Sequence, residues 1–161
     1  MARSVFFGFH YQRDVWRASI VRNAGVVDAQ AAAGFKDLSI WEEARKKGDA
    51  AIKKMIDDAL IGTTVTAVLI GAETANRKYV NYEIEKSIER GNGVLGIRIH
   101  GIRDQNGNVD FAGTVPAKLS SGGYSVYTWE RDKFGDWVEV AYTEAKDKKA
   151  REEERKSFGR W

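Results

Sequence analysis

A glutamate and a tyrosine one helical turn apart are the side chains whose types and spacing best suit chemistry. Glu83 follows Tyr79 by four residues, in a segment where Val80, Ile84 and Ile88 form an apolar stripe at helical spacing. At 100° per residue Glu83 lies about 60° from Val80, so we expect its carboxylate to border the core while facing solvent. An aromatic ring and a carboxylate would then face any cleft at that side of the helix together. The same spacing also suits a solvated glutamate and a core-edge tyrosine, and both interpretations stay open.

Three further side chains fall in presumed loops. His10 directly follows the first predicted strand, at the edge of the sheet where parallel α/β proteins bind ligands. Asp37 and Trp41 belong to a second loop. Each also has a structural interpretation: a hydrogen-bonded histidine, a turn-forming aspartate and a tryptophan that anchors the core. Residue type alone does not decide between these roles and ligand binding.

Composition argues against several other chemistries. The 161 residues include no cysteine and two histidines, so thiol chemistry and disulfides are excluded and little remains to hold a metal. We therefore expect neither a metal nor a cofactor. The net charge of +3 arises from interspersed charges, which argues against nucleic acid as a partner. No apolar run approaches the ~20 residues of a membrane span and no secretory signal is recognisable, so we expect a cytoplasmic protein without membrane contact.

A glycine pattern in the sequence lacks the context of a dinucleotide site. Gly91, Gly93 and Gly96 form a G-x-G-x-x-G, but a predicted helix precedes these glycines and a predicted strand follows them. The dinucleotide fingerprint needs the opposite order, since the helix N-terminus must meet the pyrophosphate. We interpret the glycines as a helix stop and a tight entry into a strand.

Hydrophobic patterning predicts strands and helices in alternation. Strands are predicted over residues 4–9, 63–70, 94–99 and 124–129. Helices are predicted over residues 14–23, with Asp14 as the cap, over 48–60, over 77–91, ending at Gly91, and from 137 onward. Residues 26–36 are Ala-rich and receive no assignment. The alternation predicts a single α/β domain with a parallel sheet flanked by helices and a core in about residues 4–100. Residues 101–161 form an extension ending in a charged helix, either solvated or bound to a partner.

Four segments in this order resemble the TIR domain, most closely the TIR-like subunits of Thoeris antiphage defence systems. Residues 4–10 (SVFFGFH) resemble the first TIR box, 35–48 (FKDLSIWEEARKKG) the loop that follows, and 63–71 the central strand. Tyr79 to Glu83 occupies the place of the W-x-x-x-E motif, whose glutamate is catalytic in NAD-consuming TIR domains. Two positions depart from the pattern, since Gly8 stands where many members have Ser and Tyr79 where the motif has Trp.

The resemblance implies a flavodoxin-like fold and an enzyme that cleaves the nicotinamide–ribose bond of NAD and makes a cyclic ADP-ribose type signal. It implies that Glu83 is catalytic and that the pocket is lined by Gly8, Phe9, His10, Asp37 and Tyr79. It also implies that the protein forms a homo-oligomer and that its small-molecule signal acts on a separate effector protein. Two alternatives stay open: a TIR-like scaffold that only binds partners, and a flavodoxin-like module for another nucleotide. The retained Glu83 disfavours the scaffold, and the missing phosphate-binding loop disfavours the module.

Overall fold

The chain forms four strands and six helices over the residues that the computed structural model describes, 3–24 and 38–159. The strands are β1 (Val5–Gly8), β2 (Val65–Ile70), β3 (Gly93–Arg98) and β4 (Val126–Thr128). The helices are α1 (Tyr11–Arg22), α2 (Leu38–Lys47), α3 (Asp49–Leu60), α4 (Lys78–Arg90), α5 (Ala117–Ser121) and α6 (Arg131–Phe158). This order confirms the predicted α/β class.

The sheet is parallel throughout its described strands, which lie in the order β1-β2-β3-β4. Val5 pairs with Val65, and Val65 in turn pairs with Gly93. Every residue of β1 and β2 is buried, which explains why both segments are nearly continuous apolar runs. Because the strands are parallel, their carboxyl ends share one edge of the sheet. The starts of α1 and α4, which follow β1 and β2, lie at that edge.

Helices cover both faces of the sheet. On one face α1 and α6 pack against strand residues such as Phe7 and Leu69. On the other face α4 and α5 pack against Val68 and Ile70, while α3 packs against Phe6. Successive strand residues therefore serve opposite cores, as the period of two along a strand requires. The second face, with α2 lying against α3, contains the candidate site described below.

The first helix begins one turn earlier than predicted, and Asp14 does not cap it. His10 is the N-cap, and its Nδ1 atom accepts a hydrogen bond from the backbone N–H of Arg13 at 3.5 Å. Asp14 lies within the first turn and is fully buried. Both residue types can accept from a helix N-terminus, but the chain turns into the helix directly after β1, which leaves the cap position to His10. The predicted capping role of Asp14 was therefore wrong.

The C-terminal part of the chain contributes to the core before it becomes solvated. β4 is shorter than the strand predicted over 124–129, and α6 begins at Arg131 rather than near Trp137. The first turns of α6 place Phe134, Val138 and Ala141 in the core beside β3. From residue 146 to 158 the helix is exposed along its whole length, as expected for its run of charges.

The glycine pattern marks the end of α4 and the start of β3, as predicted. Gly91 is the C-cap of α4 in the left-handed region, with φ of 83°. Gly93 starts β3 where α6 passes close by, since an added Cβ would lie 2.5 Å from the carbonyl oxygen of Ala141. Glycine is required at these two points for different reasons, conformation at the first and close approach at the second.

Candidate active site

Glu83 lies against the last residue of β1. A Cβ added to Gly8 would lie 2.6 Å from Glu83 Oε2 and 3.8 Å from Glu83 Cβ. Val80 and Ile84 fix α4 on the sheet, and Glu83 on the adjoining side of the helix is thereby directed to the strand end. The glycine at position 8 makes room for the carboxylate, a role that the sequence did not indicate. The predicted ligand contact of the Gly8 backbone stays a prediction.

The carboxylate of Glu83 is buried more deeply than expected. The residue as a whole is half-buried, but Oε2 is closed off from solvent and has no hydrogen-bond partner among the described residues. Burial raises the pKa of Glu83 well above its usual range. The predicted position beside the core is confirmed, whereas the predicted solvent-facing orientation was wrong. The absence of a side chain at Gly8 lets the carboxylate turn inward.

A cavity of about 280 Å³ opens beside Glu83 at the carboxyl edge of the sheet. It lies between the end of β1 and helices α2, α3 and α4, and much of its lining is apolar, including Phe6, Trp41, Met55 and Ile56. Its volume is close to the lower end of the usual range for ligand pockets, about 300–1,000 Å³. As formed by the described residues, the cavity can therefore enclose a part of a dinucleotide but not the whole of it.

Most of the predicted site residues meet at this cavity. Phe9, His10, Tyr79 and Glu83 line it, and Gly8 lies directly against Glu83. Asp37 lies outside the described residues, so its predicted role stays a prediction. The convergence has a topological cause, because the end of β1 and the first turns of α4 share the carboxyl edge of the sheet.

Four rings form a continuous aromatic wall along the cavity: Phe9, Tyr11, Trp41 and Tyr79. The Phe9 and Tyr11 rings stack with centroids 5.8 Å apart, and the Tyr11 and Trp41 rings stack at 5.9 Å. Trp41 meets Tyr79 edge to face at 6.1 Å. Trp41 also packs against the Phe6 core cluster, as its structural interpretation predicted. Sequence reasoning missed Tyr11 as a lining residue, although its position directly after His10 was a usable signal.

Tyr79 is held in place by polar contacts on its outer side. Its hydroxyl donates a hydrogen bond of 2.8 Å to Asp49 Oδ1, and Lys78 Nζ lies 2.8 Å from the same oxygen. Burial and the hydrogen bond to Asp49 raise the pKa of Tyr79, so the phenol stays protonated at neutral pH. These contacts fix the ring at the cavity wall. This geometry is compatible with the predicted stacking on a ligand, which stays a prediction.

His10 is a buried, uncharged member of the site. Burial lowers its pKa, and the positive charge of Arg77 lowers it further. Because Nδ1 accepts from the Arg13 backbone, the ring proton lies on Nε2, 3.8 Å from a Glu73 carboxylate oxygen. The hydrogen-bonded structural interpretation of His10 is confirmed, and the same residue also lines the cavity.

Two further properties concern the described residues as a whole. The described part of the chain brings no group of three histidine, aspartate or glutamate side chains together in a way that could hold a metal ion. Among the described helices, none combines the length and the hydropathy that a transmembrane helix requires.

Comparison with known proteins assigns the chain to a family. Residues 6–104 match the family model described as "Thoeris protein ThsB, TIR-like domain". This range contains most of β1, the aromatic wall, Glu83 and β3. A protein of Bacillus cereus (strain MSX-D12) named "Putative cyclic ADP-D-ribose synthase ThsB1" is 42% identical over 150 residues, covering 88% of this chain and 78% of that protein. The resemblance of the four sequence segments, the parallel sheet and these two matches agree, and the chain belongs to the family of ThsB TIR-like domains.

Proposed function

We propose that this protein cleaves the nicotinamide–ribose bond of NAD⁺ and closes the remaining ADP-ribose into a cyclic signal. The observation that carries the proposal is the carboxylate of Glu83, buried without a described partner beside an aromatic-walled cavity. The name of the Bacillus cereus relative, a cyclic ADP-D-ribose synthase, supports the same reaction. Membership of a Thoeris family supports a role for the signal in antiphage defence.

Glu83 supplies the electrostatics of the cleavage step. The bond between ribose C1′ and the pyridinium nitrogen breaks, and its electron pair leaves with the nicotinamide. Positive charge then develops on the ribose, as in glycoside cleavage. A fixed carboxylate in a largely apolar cavity stabilises that charge or binds the ribose hydroxyls. Because the pyridinium is already cationic, its departure needs no proton from an acid, and an uncharged His10 suffices.

The aromatic wall favours a cyclic product over a hydrolysed one. Tyr79 and Trp41 line the cavity, and an aromatic ring there can stack on the nicotinamide or the adenine. Stacking folds the dinucleotide so that a nucleophile of the adenosine half donates its electron pair to C1′, forms the bond that replaces the one to nicotinamide, and releases one proton. The apolar lining keeps competing water away from the same carbon.

The test is release of nicotinamide and analysis of the second product. Purified protein incubated with NAD⁺ should release nicotinamide and a cyclic ADP-ribose, resolved by chromatography and identified by mass spectrometry. Glu83→Gln should lower nicotinamide release about a thousandfold, the upper end for loss of one preorganised electrostatic group. Circular dichroism should show an intact fold, because the amide replaces a carboxylate of the same shape.

The matched control is Glu85→Gln on the same helix. Glu85 is exposed and pairs with Lys118 at 2.8 Å, away from the cavity, so its loss should leave nicotinamide release unchanged. A Glu83→Gln protein with most of the wild-type activity would refute the catalytic assignment. Assembly or partner binding without any NAD⁺ consumption, unchanged by Glu83→Gln, would instead identify the protein as a scaffold.

The cellular setting completes the proposal. The protein acts in the cytoplasm, where NAD⁺ is available, and a separate effector protein binds the cyclic signal. A second copy of the chain completes the pocket, since a cavity of about 280 Å³ leaves part of the dinucleotide outside.

A further inference from the structure

The cavity mouth carries positive charge that the chemistry at Glu83 does not use. Three cationic side chains line the cavity: Arg45 on α2, Arg77 at the N-cap of α4, and Lys78. Lys78 already pairs with Asp49 at 2.8 Å. Arg45 and Arg77 are exposed, and within residues 3–24 and 38–159 neither guanidinium has an ion pair or a hydrogen bond. The two arginines are therefore free to bind an anion.

The two arginines reach the cavity from different helices. Arg45 is on α2, one turn after Trp41, and Arg77 is the N-cap of α4, two residues before Tyr79. Burial lowers the pKa of His10 and the positive charge of Arg77 lowers it further, so this charge acts on a residue that lines the cavity. A ligand in the cavity therefore meets positive charge from both helices.

The size of the cavity determines which part of the substrate reaches these arginines. A dinucleotide consists of two nucleosides joined by a diphosphate, and a cavity of about 280 Å³ encloses one of the nucleosides. The nicotinamide riboside must be inside, because its C1′ reacts beside Glu83. The diphosphate, which carries two negative charges, then lies at the mouth. Guanidinium groups are suited to this position, since their planar fork binds phosphate oxygens in pairs.

We propose that Arg45 and Arg77 bind the diphosphate of the substrate at the cavity mouth and select dinucleotides over nucleosides. The inference rests on the proposed function for the identity of the substrate. It adds two binding residues, a position for the diphosphate and an orientation for the whole substrate, with the nicotinamide end enclosed.

The test measures binding of ADP-ribose, which retains the diphosphate and lacks the reactive bond. Calorimetry gives its Kd for the wild type, Arg45→Gln, Arg77→Gln and the double variant. Each single substitution should raise the Kd about tenfold, as expected for one charge-assisted contact, and the double variant about a hundredfold. Lys46→Gln on α2 and Arg90→Gln at the far end of α4 are controls; both residues are exposed, and neither lines the cavity.

Three outcomes would overturn the inference. These are a wild type that does not bind millimolar ADP-ribose, a double variant within twofold of the wild type, or control variants that weaken binding as much as the arginine variants do. Nicotinamide release from NAD⁺, assayed on the same samples, separates this result from the proposed function. Arginine-dependent binding without nicotinamide release refutes the cleavage reaction alone, whereas release with arginine-independent binding refutes the diphosphate site alone.

Discussion

Two buried carboxylates lie at the ends of neighbouring strands, and their surroundings differ. Glu83 lies against Gly8 at the end of β1, and Asp14 lies against Gly71 just after β2. At each glycine, an added Cβ would collide with the carboxylate. Glu83 Oε2 and both oxygens of Asp14 lack a hydrogen-bond partner among the described residues. Burial raises both pKa values, that of Asp14 to about 6.

The two sites differ in what lies beside each carboxylate. Asp14 is fully buried with Arg17, whose Nη1 lies 4.0 Å away and whose Nε donates to the Ile102 carbonyl at 2.7 Å. That cluster ties α1 to the segment after β3. Glu83 instead faces a cavity and has no cationic partner within the described residues. A buried carboxylate is thus structural where the chain supplies its counter-charge, and available for chemistry where a ligand must supply it.

The largest expected contrast comes from placing a methyl group at each glycine. In Gly8→Ala the Glu83 carboxylate has a cavity to move into, so the fold should persist while nicotinamide release falls about a hundredfold, because the carboxylate leaves its preorganised position. In Gly71→Ala the Asp14 carboxylate is enclosed, so overpacking should cost about 1–3 kcal/mol of unfolding free energy. Urea denaturation and the nicotinamide assay, applied to both variants, measure the two effects.

The contrast fails if the two variants behave alike. Activity per folded molecule should be normal in Gly71→Ala, and the unfolding midpoint should be near normal in Gly8→Ala. An inactive but stable Gly71→Ala protein would show that the Asp14 cluster also takes part in catalysis.

The second prediction concerns the pH dependence of stability, to which Asp14 and Glu83 should both contribute because burial raises both pKa values. Its pKa rises from the ordinary 3.8 to about 6 on folding because burial outweighs the attraction of Arg17. The folded state therefore binds more protons than the unfolded state between these values, and this contribution to stability is lost as the pH rises through 6. Asp14→Asn should abolish that loss. The free energy of unfolding of the variant, measured against that of the wild type, should therefore increase by about 3 kcal/mol between pH 3.5 and pH 7.

Urea denaturation between pH 3.5 and pH 7 tests this prediction, with Asp136→Asn as the control because Asp136 is exposed on α6. The control should follow the wild-type pH profile. Parallel profiles for the wild type and Asp14→Asn would show that Arg17 fully compensates the buried charge. Nicotinamide release by Asp14→Asn should equal that of the wild type, since Asp14 lies outside the cavity lining.

The sequence predicted the position of Glu83 but not its environment. Helical periodicity depends only on neighbours within α4, and it correctly placed Glu83 beside the core. The inward turn of the carboxylate depends on Gly8, which is 75 residues away in the chain and becomes a neighbour only through the sheet. Asp14 shows the same limit, because its local pattern suggests a helix cap while the adjoining Gly71 lies across the fold. The sheet itself was predictable, since β1 and β2 are nearly continuous apolar runs.

The smallest expected effect is a change in proton binding, and it distinguishes the two carboxylates most directly. Free Glu83 has a raised pKa because burial opposes its charge, and a bound pyridinium cation lowers that pKa by supplying the missing counter-charge. Binding of an NAD⁺ analogue with carbon in place of the ribose ring oxygen, which cannot form the oxocarbenium ion, should therefore release up to about one proton.

Titration calorimetry in two buffers of different ionisation enthalpy, repeated from pH 5 to pH 8, measures the release of this proton. It should vanish in Glu83→Gln and persist in Asp14→Asn, because Asp14 already has Arg17 nearby and gains no new charge. Equal release by the wild type and Glu83→Gln would assign the proton to another group and remove the electrostatic distinction between the two sites.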